Sequence, residues 1–335
     1  MQKTIFVVDD SLSNLSLAEE TLEKYYRVIT LSSAEKMYST LEKVIPDLIM
    51  LDIAMPDESG FDAMKKLKAN KKHTEIPVIF LTALTDTFNE ALGIELGAVD
   101  FITKPFSEPV LLNRVKNHIQ IDNIIKERTA LLTSLKTGIV STMSSIIENR
   151  DNNTDGHIER SKVHLKTLLE SMQNLGVYTD QINMWDFDTF TTAACLHDVG
   201  KIQIPKAILN KPGSLTDEEF KIVKTHTIEG EKIIDQMIKQ TGEAEFLHNA
   251  KLVAVYHHER WDGTGYPYGL KSDEIPLPGR IMAVIDVYDA LVSNRSYRKA
   301  MTHEEATDIL NKESGTHFDP KLIAAFNKVS NSFKL

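Results

Sequence analysis

The sequence predicts two domains of different class: a doubly wound α/β domain with a parallel sheet, followed by an all-α helical bundle. Three observations carry this. The 335 residues exceed what one core of ordinary size organises. In the first third, short apolar runs alternate with helical stretches, and the runs end in polar residues. In the second half, amphipathic helical stretches carry His and Asp near their ends, interrupted by one stretch rich in Gly, Tyr and Pro.

Ile5-Phe6-Val7-Val8 reads as a buried parallel strand that delivers Asp9 and Asp10 to its C-terminal end. Leu48-Ile49-Met50-Leu51 delivers Asp52 in the same way. Val78-Ile79-Phe80-Leu81 delivers Thr82, and Phe101-Ile102-Thr103 leads to Lys104-Pro105. Helical stretches such as 12–24 and 58–69 lie between the strands. In such a fold the site sits at the C-terminal strand ends. Three carboxylates gathered there favour a hard cation such as Mg²⁺, which takes oxygen ligands.

With Met55-Pro56, Gly60, Thr82 and Lys104-Pro105 in order behind the aspartates, residues 1–121 resemble the receiver domain of two-component response regulators. The resemblance implies a five-stranded, flavodoxin-like sheet and makes Asp52 the phosphoacceptor. Asp10 is then a direct Mg²⁺ ligand and Asp9 acts through water. Asp52 and the Ala54 carbonyl complete the protein ligands. Thr82, Phe101 and Lys104 form the switch. Phe101 stands where the family often has Tyr, so a hydrogen-bonded form of the switch is not expected. The implied partner is a cognate sensor histidine kinase.

Residues 106–121 read as the last receiver helix, with Pro109 in its first turn. From Asp122 to Asp151 there is no proline and one glycine, Gly138. Ile121, Ile124, Ile125, Leu131, Leu132, Leu135, Ile139, Met143, Ile146 and Ile147 recur at helical spacing. One long helix is expected over 122–150, or two broken near Gly138. It is either packed on its own domain or a signalling helix that doubles as a homodimer seam, though its heptad is irregular.

The remainder, 151–335, is expected to be all-α. His157 falls near a helix start, and a helix over roughly 188–199 carries His197 and Asp198 near its end. Lys201, four residues past His197, shares its face if that helix persists. Thr216 reads as an N-cap with Glu219 at the capping-box position, and that helix delivers His226. A helix over about 245–258 delivers His257 and His258, a loop covers 261–279, and a helix from Arg280 to Ser293 carries Asp286 and Asp289. Helical folds build metal centres by converging such side chains. Imidazole and carboxylate with no thiolate suit iron, manganese or zinc at a catalytic rather than a structural site. His73, His118, His164, His248, His303 and His317 fit no ligand position and are expected at the surface or in the core.

His197-Asp198-Val199-Gly200-Lys201, His226, His257-His258, Gly265-Tyr266-Pro267 and Asp286 together resemble the HD-GYP family of metal-dependent cyclic-dinucleotide phosphodiesterases. The resemblance implies two divalent metals, preferably iron or manganese, held by His157, His197, Asp198, His226, His257, His258 and Asp286. Asp198 bridges them, and Lys201 contacts the scissile phosphate. Gly265, Tyr266, Pro267, Arg295 and Arg298 hold substrate, with Tyr297 in the same stretch. Residues 315–320 match a structural C-terminal motif. Some members place a metal-binding Glu four residues before the first histidine. Asn153 stands there, so a third metal is not expected. The implied reaction opens cyclic diguanylate to pGpG, and onward to GMP. Alternatives are 3′3′-cyclic GMP-AMP or another phosphorylated nucleotide as substrate, or a domain that binds nucleotide or protein without turnover.

Composition narrows the partners. The net charge is −10 and no basic stripe is present, which disfavours DNA. The single cysteine, Cys195, allows no intramolecular disulfide and lies in an apolar run expected in the core. Met1-Gln2-Lys3 lead directly into a strand-like run, and no apolar stretch nears the roughly 20 residues a membrane span needs. A cytoplasmic protein without membrane partners is expected.

Overall fold

A computed structural model describes residues 2–70, 72–83, 87–150, 156–242, 244–294 and 299–333. The chain divides into two compact units, Met1–Leu132 and Thr133–Leu335.

In the first unit, β1 (Thr4–Val8), β2 (Arg27–Leu31), β3 (Leu48–Asp52), β4 (Val78–Thr82) and β5 (Asp100–Thr103) form one parallel sheet in the order β2-β1-β3-β4-β5. The helices α1 (Leu12–Leu22), α2 (Ala34–Leu41), α3 (Gly60–Ala69) and α4 (Thr87–Glu95) connect them. Sheet alternation splits the apolar strands between two cores. Phe6 and Val8 face one with Ile49, Leu51 and Phe80, while Ile5 and Val7 face the other with Leu48, Met50 and Leu81. A strand buried on both faces reads as a continuous apolar run, which is why these strands show no polar alternation.

The chain continues as α5 (Glu108–Glu148), one unbroken helix of 41 residues. Gly138 does not interrupt it, since a lone glycine costs only about 1 kcal/mol in a helix interior. Its start packs in the first unit through Leu111, Val115 and Ile119. Its end packs in the second unit through Val140 and Ile147. This helix contains an apolar window that meets the length and composition of a membrane span, with mean hydropathy 1.3 and 17% of it buried. This corrects the expectation that no apolar stretch nears that length: Ser and Thr between the apolar residues break up the run in sequence, while the window as a whole stays apolar.

The second unit is helical: α6 (His157–Asn174), α7 (Thr179–Ile182), α8 (Phe187–Ala194), α9 (Lys206–Leu209), α10 (Asp217–Lys224), α11 (His226–Thr241), α12 (Glu245–Tyr256), α13 (Leu277–Val292), α14 (His303–Lys312) and α15 (Pro320–Val329). Its main core joins Leu165, Leu168 and Leu169 of α6 to Phe190 of α8, Ile281 and Ile285 of α13, and Leu322 and Phe326 of α15. The expected Thr216–Glu219 capping box is present at the start of α10.

Candidate metal centres

In the first unit the sheet register builds the site. Val8 pairs Leu51, Asp52 pairs Leu81, and Thr82 pairs Thr103. Asp9, Asp52, Thr82 and Lys104 therefore meet along one edge of the sheet. Asp9, Asp10 and Asp52 offer carboxylate oxygens within 4.8 Å of one another. Lys104 Nζ lies 2.7 Å from both Asp9 and Asp52 and offsets their repulsion. Asp9 and Asp52 are buried while Asp10 is exposed, so the cluster opens to solvent on one side. The Ala54 N–H donates to Asp52 Oδ1 at 3.3 Å. Thr82 is buried, and the Phe101 ring packs on Phe80 with centroids 5.6 Å apart.

The second unit brings histidines from four places to one point. The helix expected over 188–199 stops earlier, at Ala194. The next N–H groups, of Cys195, Leu196 and His197, each bond the carbonyl three residues back. This tightening turns the chain, so His197 and Asp198 sit in a bend between α8 and a 3₁₀ turn over Val199–Gln203. Gly200 permits it. A Cβ there would lie 1.8 Å from the His226 carbonyl oxygen, so only glycine lets this turn lie against the start of α11.

Four of the five ligand-type histidines are aimed by the other ring nitrogen. His197 Nδ1 faces the Ala194 carbonyl at 3.0 Å, and His226 Nδ1 the Val223 carbonyl at 2.7 Å. His257 Nδ1 faces the Val253 carbonyl at 2.9 Å. His157 Nδ1 faces Asp289 Oδ2 at 2.7 Å. An Nδ1–H donated this way leaves the Nε2 lone pair for a metal. The Nε2 atoms converge in two pairs, His157 with His197 and His226 with His257, each at 3.5 Å.

The two groups are His157, His197 and Asp286, and His226, His257 and His258. Asp198 stands between them. Its Oδ2 is 3.3 Å from His197 Nε2, and its Oδ1 is 3.4 Å from His226 Nε2 and 3.9 Å from His257 Nε2. Lys201 Nζ is 2.7 Å from Asp198 Oδ2. The sequence-expected ligands Asp198, Asp286 and all five histidines are thus gathered, with Lys201 beside them.

The electrostatics follow from burial and this one carboxylate. Burial alone would lower His197, but Asp198 reverses the effect and raises it above its ordinary value. Burial and then the charges of Lys201 and His197 act on Asp198 in opposite senses, and the cations win, so it stays ionised far into acid. Burial pushes His257 down to about 3, and it holds His258 and His226 down as well.

These donors fit divalent cations. Asp198 Oδ1 is buried and has no hydrogen-bond partner among the described residues, a costly state unless something positive binds it. Cys195 lines the same cavity, yet burial raises its thiol to about 12 and its Sγ donates to the Thr191 carbonyl, so no thiolate joins the set.

The signature loop sits against this centre. The Tyr266 ring packs on His258 with centroids 4.7 Å apart, and its N–H donates to the His258 carbonyl. Pro267 follows through a cis bond. A Cβ on Gly265 would lie 2.3 Å from the Arg260 nitrogen, so the loop folds back this closely only with glycine there. Arg295, Arg298 and Tyr297, and also Asn153, lie outside the described residues.

Three residues hold the centre or its loop in roles that the sequence does not show: Asp289, Arg160 and Glu259. Asp289 accepts from His157 on one side of that ring while Asp286 Oδ1 lies 3.8 Å from its Nε2 on the other. Arg160 clamps Asp289 through Nε at 2.7 Å and Nη2 at 2.9 Å; burial would raise the Asp289 carboxyl, but the hydrogen bonds from His157 and Arg160 outweigh it and hold the group well below the usual range. The spacing of Asp286 and Asp289 hinted at a shared face, but only packing separates their roles. Glu259 is buried and accepts from the N–H groups of Tyr268, Gly269 and Leu270, which shapes the signature loop.

Comparison with known proteins accords with both units. The model of the response regulator receiver domain matches residues 5–116, and that of the HD domain matches 141–322. A probable cyclic di-GMP phosphodiesterase of Vibrio cholerae is 39% identical over 97% of this chain and 77% of its own length. The cyclic di-GMP phosphodiesterase response regulator RpfG of Xanthomonas campestris is 32% identical over 96% of this chain and 86% of its own. A 3′3′-cGAMP-specific phosphodiesterase 2 of Vibrio cholerae is 36% identical over 55% of this chain and 33% of its own.

Proposed function

This chain belongs to the HD domain family, with a response regulator receiver domain ahead of the HD domain, and from that premise we propose that it is a phosphorylation-regulated phosphodiesterase of the HD-GYP type that opens cyclic diguanylate to pGpG, and onward to GMP. The observation that carries this is Asp198, whose two oxygens face two separate histidine groups. In this reading His157, His197 and Asp286 hold one divalent metal, and His226, His257 and His258 hold the other. Asp198 serves both. Iron or manganese suits the mixed imidazole and carboxylate donors. A metal pair of this kind supplies an activated water near neutral pH and offsets charge on the phosphodiester.

The chain's own residues do the rest. Lys201, paired with Asp198, presents a cation to the phosphoryl oxygens at the wall of the same cavity. Asp289 and Arg160 keep His157 turned toward its metal. Gly265, Tyr266 and Pro267 border the substrate, with Arg295 and Arg298 as further anion contacts.

In the receiver, assigned 1–121, Asp9, Asp10, Asp52 and the Ala54 carbonyl hold Mg²⁺. A sensor histidine kinase is the phosphodonor for Asp52, and Thr82, Phe101 and Lys104 respond. Residues 122–150 connect to the HD-GYP domain at 151–335. Ile125, Leu132, Ile139 and Ile146 are spaced by seven and are 56–67% exposed, which supports a parallel homodimer seam on α5. Sedimentation tests this, since Leu132→Glu converts a dimer to a monomer. The protein works in the cytoplasm in this reading, with no DNA or membrane partner.

The test of function is direct. Metal-reconstituted protein, kept anaerobic, is incubated with cyclic diguanylate and with 3′3′-cyclic GMP-AMP, and products are separated by chromatography. Linear product from intact protein, and none from His197→Ala or Asp198→Ala, supports hydrolysis. Intact substrate with metals bound favours a binding-only domain. Faster opening of the GMP-AMP ring favours the activity named for the third relative.

A further inference from the structure

The first metal-type histidine opens α6, and α6 opens badly. Its N-cap is Gly156, in the left-handed region at φ 74°, with no side chain to satisfy the first N–H groups. A helix start has four such donors, and a side-chain acceptor on one is worth about 1 kcal/mol. Among the described residues, one acceptor for this helix start comes from elsewhere. Glu148, the last residue of α5, accepts from the Ile158 N–H through Oε1 at 3.2 Å. Ile158 is the neighbour of His157.

Glu148 is well placed for more than a cap. It lines the cavity that holds His157, His197, Asp198, Lys201 and Asp286. The last turns of α5 are anchored around it. Val140, Ser144 and Ile147 are buried, and Ser144 Oγ donates to the Cys195 carbonyl at 2.8 Å, in the turn that leads to His197. The same continuous helix begins in the core of the first unit.

We propose that Glu148 is a positioning residue: it caps the first turn of α6 where Gly156 offers no side chain, and so ties the end of α5 to the backbone that carries His157. Any shift of α5 along its axis then reaches the backbone of His157 through this carboxylate, beside the Ser144 bond that leads to His197. That regulatory consequence rests on the functional reading above; the tie itself does not.

Three variants separate the possibilities: Glu148→Gln keeps an acceptor, Glu148→Met keeps the volume without one, and Glu148→Ala removes both. Hydrogen exchange of the 156–160 backbone and metal content at limiting metal are read on the full chain, without substrate. In Glu148→Met, exchange rises about fivefold and affinity for one of the two metals falls by about tenfold. Glu148→Gln stays within about twofold of wild type on both, since its amide oxygen still accepts. With cyclic diguanylate, Glu148→Met also loses the rate difference between unmodified and beryllofluoride-treated protein. Wild-type exchange in Glu148→Met overturns the proposal, and so does a Glu148→Gln variant as impaired as Glu148→Met, which would make charge the cause. Should Glu148→Ala not fold, the Gln–Met pair still decides.

Discussion

The two polar centres of this chain each pair carboxylates with one lysine, and they differ in how their groups are held. At the sheet edge, Lys104 reaches Asp9 and Asp52, and one cluster member, Asp10, is exposed. Oxygen donors open to water suit a cation and a phosphoryl group that come and go. In the helical unit, Lys201 reaches Asp198, while four imidazoles are fixed through Nδ1 and all but one of the five are deeply buried. Nitrogen donors with a fixed outer layer suit metals that stay. The contrast teaches that similar acidic residues suit a switch or a resident centre according to what stands behind them.

The sharpest way to break this contrast is at Asp198. Asp198→Ala leaves the two histidine groups without their shared ligand, and activity falls beyond the about 100-fold that loss of an outer partner costs. Steady-state rates on cyclic diguanylate, beside metal analysis, check it. If the fixed outer layer matters, Asp289→Ala weakens metal binding by about 10- to 100-fold, while Asp289→Asn, which can still accept from His157, loses less. Competition with a chelator measures both.

Acid should also part the helical unit from its unfolded state. His164 is buried, stacked on Phe333 with centroids 4.5 Å apart, and burial pushes it down to about 4. The unfolded chain takes up this proton near pH 6.5 and the folded one only near 4, so stability is full above that window and falls as pH drops through it. The loss attributable to His164 is on the order of 3 kcal/mol. Denaturant melts from pH 7 to 4 on wild type and His164→Phe check it: the variant has the flatter profile. The smallest effect on basal rate is at the switch. Asp52→Asn leaves the unstimulated rate within about twofold and removes the response to beryllofluoride.

What the sequence made legible follows from the same contrast. Parallel strands end in space where their apolar runs end in sequence, so Asp9, Asp10, Asp52, Thr82 and Lys104 were all readable as one set. The histidines were readable as a type, because two adjacent pairs with Gly265-Tyr266-Pro267 are rare together. Their aim was not. It depends on carbonyls of Ala194, Val223 and Val253 that any residue carries. The early end of α8 was illegible because apolar Leu196 and Val199 continue the helical pattern past Ala194, and the close pass of Gly200 over His226 decides it. Asp289 was illegible in role since it acts on His157 across 132 residues, and Glu148 since it caps a neighbouring helix through a single atom, which no spacing announces.

Whether Asp198 joins two metals is decided by counting metal per chain, by mass spectrometry, in protein purified without oxygen and dialysed to remove loosely held Mg²⁺. The account predicts two transition metals in the wild type and fewer than two in Asp198→Ala. A wild type that holds one metal, or an Asp198→Ala variant that still holds two, would contradict a centre shared through Asp198.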